Sequence, residues 1–278
     1  MPLAPAPLAP TGRAEAVEGG YRISGRWEWA TGVNHCSWVM VSAMDGPMPR
    51  FCVLPLADVE VEDVWRVSGM VATGSNTVVA RDVFVPAYRT LSALQMRYGP
   101  MPGLVRHPGS TVGYAMPPLL ALVAAGPALG AAEGALAAFT ERMKAKIQAH
   151  TGGAKAVDSP ATHLRLGEAL ATVRAAALVW EDALARYERD GPLGGAMSND
   201  SLAAVRLAAA HTVRLANDAV NIMCNAAGAS AGFLTSPLQR HLRDVQMIRG
   251  HVVFDWDRAA QIGGRIALGF DPTPADLL

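Results

Sequence analysis

The sequence predicts an α+β protein, a small β-barrel or sandwich followed by an antiparallel four-helix bundle. Three observations predict it. Up to residue 92, short alternating segments recur between turn signals, as in small all-β domains. Beyond residue 112, four long alanine-rich segments follow, each interrupted or bounded by Gly, Pro or Asn. The composition, 51% apolar but only 6% aromatic, suits closely packed helices better than an all-β body.

Taken in order, Gly19-Gly20 is a turn signal joining residues 13–17 to the alternating stretch 21–27. Residues 37–43 and 51–54 read as strands on either side of an Asp45-Gly46-Pro47 turn. Residues 59–65 and 77–85 add two more, divided by a loop over 69–75. The helical segments are expected at 119–148, 160–189, 201–226 and 237–262. Ser159-Pro160 has the form of a helix start, and the Gly-Pro-rich break at 191–195 ends the second segment. The expected domains are therefore a β domain at 1–92, a linker at 93–112 and a helical bundle at 113–278.

Composition also excludes whole classes. Lys plus Arg equals Asp plus Glu at 24 each, so no net field draws nucleic acid or an anionic membrane. Three scattered cysteines argue against a disulfide framework and for a reducing, cytoplasmic setting, and no His/Cys cluster has metal-ligand spacing. The N-terminus lacks the basic start and continuous apolar run of a signal peptide. Residues 115–139 are apolar enough to span a membrane, yet their Gly, Pro and Glu content favours a buried bundle helix.

Three motifs, in order, carry a family resemblance across nearly the whole chain. The first is APTGRAE at 9–15 with GGYRISGRWEWATG at 19–32. The second is VSGM at 67–70 with TGS at 73–75 and VFVP at 83–86, and the third is PLQR at 237–240 with Arg243, Asp244 and His251. As a set they resemble the acyl-CoA dehydrogenase superfamily. More narrowly, they are similar to the oxygenase components of two-component flavin-dependent monooxygenases.

That resemblance implies a flavin, FMN or FAD, lying between the β domain and the bundle. A separate NAD(P)H-flavin reductase would deliver it reduced. Molecular oxygen would then form a flavin C4a-hydroperoxide, and an aromatic or phenolic small molecule would be hydroxylated. It also implies a homotetramer. Among site residues it implies cofactor contacts from Trp29, Ala30 and Thr31, with the Thr31 hydroxyl near flavin N5. A peroxide on reduced flavin survives only where N5–H is hydrogen-bonded and water is kept out. Read as strand residues alone, Trp29 and Thr31 are equally ordinary.

The resemblance places His251 against the flavin or substrate, as base or charge stabiliser, with Asp255 four residues on expected to bond the imidazole. A helix-end histidine on a backbone carbonyl is the bland alternative. Arg142 is a candidate for the flavin phosphate, or simply an exposed helical arginine. Asn225 and Gly228 lie in a segment that in relatives approaches the cofactor of a neighbouring subunit, or form a helix C-cap. Arg243 and Asp244 read as an architectural pair.

The chain departs from the dehydrogenase pattern in two places. Residues 250–253 hold no glutamate where most acyl-CoA dehydrogenases carry their base, which favours oxygen chemistry over acyl-thioester oxidation. The helical domain with which relatives begin is absent from the sequence. A late start, a genuine short form and a non-catalytic relic or subunit are three readings of that.

Overall fold

The computed structural model describes residues 3–98, 103–109, 111–148, 151–273 and 276; His150, to which the sequence assigns no role, lies outside them. The chain clusters into two units, Met1–Val67 with Val71–Gly113, and Ser68–Met70 with Tyr114–Leu278.

The first unit is built on one mixed sheet. Its strands are β1 (Gly12–Val17), β2 (Gly20–Ala30), β3 (Trp38–Asp45), β4 (Met48–Pro55), β5 (Glu60–Glu62), β6 (Asn76–Pro86) and β7 (Thr90–Ser92). They are arranged β5-β6-β2-β1-β3-β4-β7. Among the described residues only β1 and β3 pair in parallel, with Gly12 opposite Ala43. The sheet is open, with β5 and β7 at its ends, where the sequence suggested a barrel or sandwich. Closure depends on strand tilt and stagger, which alternation of apolar residues does not encode. That alternation does place the core: Ile23, Trp27 and Ala30 of β2 are buried with Val39 and Val41 of β3, Leu54 of β4 and Val78 of β6. Trp27 is buried because its indole Nε1 donates to the Ser42 carbonyl at 2.7 Å, so its one polar atom is satisfied. The segment expected as a linker clusters with this unit and carries two short helices, α1 (Ala93–Tyr98) and α2 (Gly103–Arg106).

The second unit holds α3 (Met116–Ala145), α4 (Pro160–Asp190), α5 (Asn199–Ala227), α6 (Pro237–Arg249) and α7 (Trp256–Ala267). α5 packs against α3, α4, α6 and α7, and so forms the spine of the unit. α3 is long and apolar enough to cross a membrane by length and composition. Within this unit, however, Ala121, Ala125, Ala128, Ala132, Ala135 and Phe139 form a buried stripe at helical spacing. Alanine on that stripe lets neighbouring helices approach closely, which explains the scarcity of aromatics.

The fourth expected helix, 237–262, is two helices. α6 stops at Arg249, the chain turns through a short 3₁₀ segment at Val252–Phe254, and α7 starts afresh at Trp256. Asp255 makes the restart possible, because its Oδ1 accepts the orphan N–H of Arg258 at 3.1 Å as an N-cap.

Candidate active site

The first cluster of site residues sits where β2 ends. Between Trp27, opposite Val78, and Ala30, opposite Asn76, β2 has one residue more than β6, which is a β-bulge. Trp29 lies on that bulge with φ at 67°, in the left-handed region that a bulky residue avoids. Such a conformation costs about 1–3 kcal/mol and persists only where the surroundings impose it. Its effect is to turn the Trp29 ring outward, 57% exposed, while Trp27 two residues earlier is buried.

The surroundings that impose it are legible. Asn76 is buried, and its Oδ1 accepts N–H bonds from both Val64 and Trp65 at 3.0 Å, while its Nδ2 donates to Asn34 Oδ1 at 3.2 Å. This fixes the loop bearing Trp65, whose ring meets Trp29 edge-on with centroids 5.2 Å apart. Ala30 is fully buried in the sheet core and exposes no surface.

Thr31 follows at the exposed end of the strand. Its Oγ1 lies 2.9 Å from Ser75 Oγ, and Ser75 Oγ lies 2.8 Å from Thr73 Oγ1. The backbone joins the same residues, since the Gly32 N–H donates to the Thr73 carbonyl at 2.8 Å. Sequence reading used Thr73 and Ser75 only as family markers and missed their contact with Thr31. Nothing in the spacing of residues 31, 73 and 75 announces it, because the contact is made by pairing β2 with β6.

The helical unit holds the remaining candidates. Arg142, near the end of α3, donates through Nη2 to Ser230 Oγ, while its Nε is buried without a partner. One turn on, Lys146 Nζ donates to the Ala227 carbonyl at 2.8 Å. Lys146 is the C-cap residue of α3, four residues after Arg142. Gly228 ends α5 as its C-cap, with φ at 78°, and Asn225 is exposed on the last turn. Gly228 is thus a helix C-cap, and Lys146, bonded to the Ala227 carbonyl, lies beside it with Arg142 and Ser230 nearby. An unmatched guanidinium N–H, a second cation and a hydroxyl suit the phosphate of a flavin nucleotide, so the residues present fit that cofactor.

His251 is not on a helix. It occupies the break between α6 and α7, where its Nδ1 accepts the Val253 N–H at 3.2 Å. The expected bond to Asp255 is not made, since that carboxylate is spent on capping α7. With Nδ1 accepting, the neutral imidazole carries its proton on Nε2 and presents a donor rather than a base. Desolvation lowers the His251 pKa and favours this neutral form.

Arg243 and Asp244 do not pair with each other. Asp244 Oδ1 accepts the Met70 N–H at 2.6 Å, and Arg243 donates to the Ser68 carbonyl and to Gln239. Together they clamp residues 68–70 onto α6. Gly69 is required there, because a Cβ would stand 2.1 Å from the Arg243 carbonyl oxygen.

Comparison with known proteins completes the picture. Residues 122–256 match the family model described as acyl-CoA dehydrogenase, C-terminal domain. The chain is 33% identical over 265 residues to a pigment production hydroxylase of a Rhodococcus species, covering 94% of this chain and 68% of that protein. It is 31% identical over 273 residues to the oxygenase component of p-hydroxyphenylacetate 3-hydroxylase of Acinetobacter baumannii, covering 96% and 64%. Among solved structures, XiaF from a Streptomyces species, in complex with FADH2 and glycerol, superposes with a TM-score of 0.88 at 28% identity, covering 97% of this chain and 69% of that one. The chain thus spans about two thirds of the length of these relatives. The ordered motifs, the fold and these similarities agree: the chain belongs to the flavin-dependent monooxygenase branch of the acyl-CoA dehydrogenase superfamily.

Proposed function

We propose that this protein is the oxygenase component of a two-component system that uses reduced flavin and molecular oxygen to hydroxylate an aromatic or phenolic small molecule. The observation that carries this reading is the bulge at the end of β2, which presents Trp29 and a hydrogen-bonded Thr31 hydroxyl side by side. Bound reduced flavin supplies the electrons that activate oxygen. The residues of this chain bind it, orient it and keep water away. Trp29 offers a flat aromatic wall, and Thr31 Oγ1 offers a hydrogen-bonding partner for N5. In the helical unit, Arg142 and Lys146, with Ser230, would hold a flavin phosphate. His251 Nε2–H would donate a hydrogen bond to the oxygen of a phenolate substrate and stabilise its negative charge.

Similarity to a p-hydroxyphenylacetate hydroxylase and to a structure holding FADH2 supports a phenolic substrate and reduced FAD, with FMN the alternative. A separate NAD(P)H-flavin reductase is the implied partner, and a cytoplasmic homotetramer the implied assembly.

The test is anaerobic titration of the purified chain with reduced FMN and reduced FAD, followed by mixing with oxygenated buffer and a panel of phenols. Hydroxylated product and delayed return of the oxidised-flavin spectrum are expected. Failure to bind either flavin, or bleaching of bound oxidised flavin by an acyl-CoA, would overturn the reading in favour of a non-catalytic subunit or a dehydrogenase respectively.

A further inference from the structure

The three hydroxyls of Thr31, Ser75 and Thr73 form a chain with a property that none of them has alone. Ser75 is 4% exposed and its oxygen has oxygen neighbours at 2.9 and 2.8 Å on its two sides. A hydroxyl has one hydrogen, so Ser75 donates to one neighbour and accepts from the other. The chain therefore has two proton orders. In one, Thr73 donates to Ser75 and Ser75 to Thr31, which leaves the Thr31 hydrogen free to point outward as a donor. In the other, Thr31 donates inward to Ser75, and only its lone pairs face outward as an acceptor.

We infer that Ser75 is a positioning residue for the oxygenation reaction, whose buried hydroxyl lets Thr31 serve as acceptor toward one flavin redox state and as donor toward the other. The inference rests on the proposed placement of Thr31 beside flavin N5. Reduced flavin carries a hydrogen on N5 and needs an acceptor, whereas oxidised flavin has a bare N5 and needs a donor. Switching between the two orders requires only rotation of hydroxyls about their C–O bonds. No proton changes owner and no heavy atom moves.

The fold supplies what such a device needs. The backbone bond from Gly32 N–H to the Thr73 carbonyl, 2.8 Å, ties the residue after Thr31 to the far end of the hydroxyl chain. Gly74 carries φ at 49°, and a Cβ there would lie 2.9 Å from Asn34 Nδ2, so a residue without a side chain connects the two hydroxyl-bearing neighbours. Ser75 stands next to Asn76, which anchors the Trp65 loop, so the hydroxyl chain and the Trp29 wall share one rigid base.

The experiment compares Ser75→Ala, Thr73→Val and Thr31→Val with wild type. The readouts are hydrogen peroxide released per product formed and, without substrate, the rate at which oxidised-flavin absorbance returns after oxygen is admitted. Flavin affinity and melting temperature report structural damage. Ser75→Ala is expected to raise the peroxide ratio and the return rate about five-fold, the equivalent of one neutral hydrogen bond, with affinity and melting nearly unchanged. Ser75→Thr, which keeps the hydroxyl, should restore both in part. If Thr31→Val raises the return rate and Ser75→Ala does not, the role of Ser75 is overturned while that of Thr31 stands. If Thr31→Val itself changes nothing, the placement of Thr31 at N5 fails and this inference fails with it. Should Ser75→Ala not fold, Thr73→Val decides: a wild-type return rate in that variant would overturn the inference.

Discussion

Gly74 illustrates how much one residue can govern. Its left-handed φ and the nearby Asn34 amide both oppose a side chain. Gly74→Ala should therefore cost about 1–3 kcal/mol of stability, read as a lowered urea midpoint with an unchanged slope. Its effect on peroxide leakage should exceed that of an equally destabilising core substitution, because it displaces Thr73 and Ser75. At Trp65 the expectation is the reverse, a functional change with little loss of stability. Trp65→Ala removes an edge-on contact about 0.5–1.5 kcal/mol in strength, leaves the Asn76 bonds to the backbone intact, and frees the Trp29 ring. Flavin affinity should fall while the melting temperature moves by a degree or two. The sequence singles out Trp29, Thr31 and His251 through their motifs. Ser75 and Lys146 make their contacts with partners 44 and 81 residues away. No local pattern carries such information.

At the level of elements, the sequence showed where strands and helices lie because alternation and small-residue spacing are local. It could not show where the last helix breaks. Residues 237–262 keep an apolar pattern throughout, and the break appears only in the capping by His251 and Asp255. Asp255→Ala should cost about 1 kcal/mol by orphaning the Arg258 N–H, measurable as a loss of melting temperature; if His251 is held by this restart, peroxide leakage rises as well. α3 carries the opposite opportunity. Pro127 sits inside it and has no N–H for the carbonyl of Val123, an exposed residue. Pro127→Ala should stabilise the protein by about 1–2 kcal/mol, seen as a higher denaturant midpoint. The open sheet was likewise beyond local pattern, since the same alternating strands close or stay open according to register.

For the molecule as a whole, three of the described histidines act on the response to mild acid. His211, His241 and His251 all have pKa values lowered first by desolvation. Arg214 and Arg240 add to the lowering at His211 and His241, while Asp218 and Asp244 oppose it. In the unfolded chain each takes up a proton near pH 6.5; in the folded protein each does so only at lower pH. Below about pH 6.5 the unfolded state therefore binds more protons, and stability falls as pH falls. Above that value their contribution is complete. The carboxylates with lowered pKa values, such as Asp276, act only in the more acidic range below about pH 4. Denaturation midpoints measured between pH 5 and 8 should decline on the acid side, and His241→Gln should flatten that decline. The paired indoles of Trp29 and Trp65 also affect the spectrum of the whole protein. Two such chromophores 5.2 Å apart and nearly perpendicular couple their electronic transitions, which adds a two-signed band to the far-ultraviolet circular dichroism. The geometry of the bulge can thus be followed optically in the cofactor-free protein, before any flavin is added.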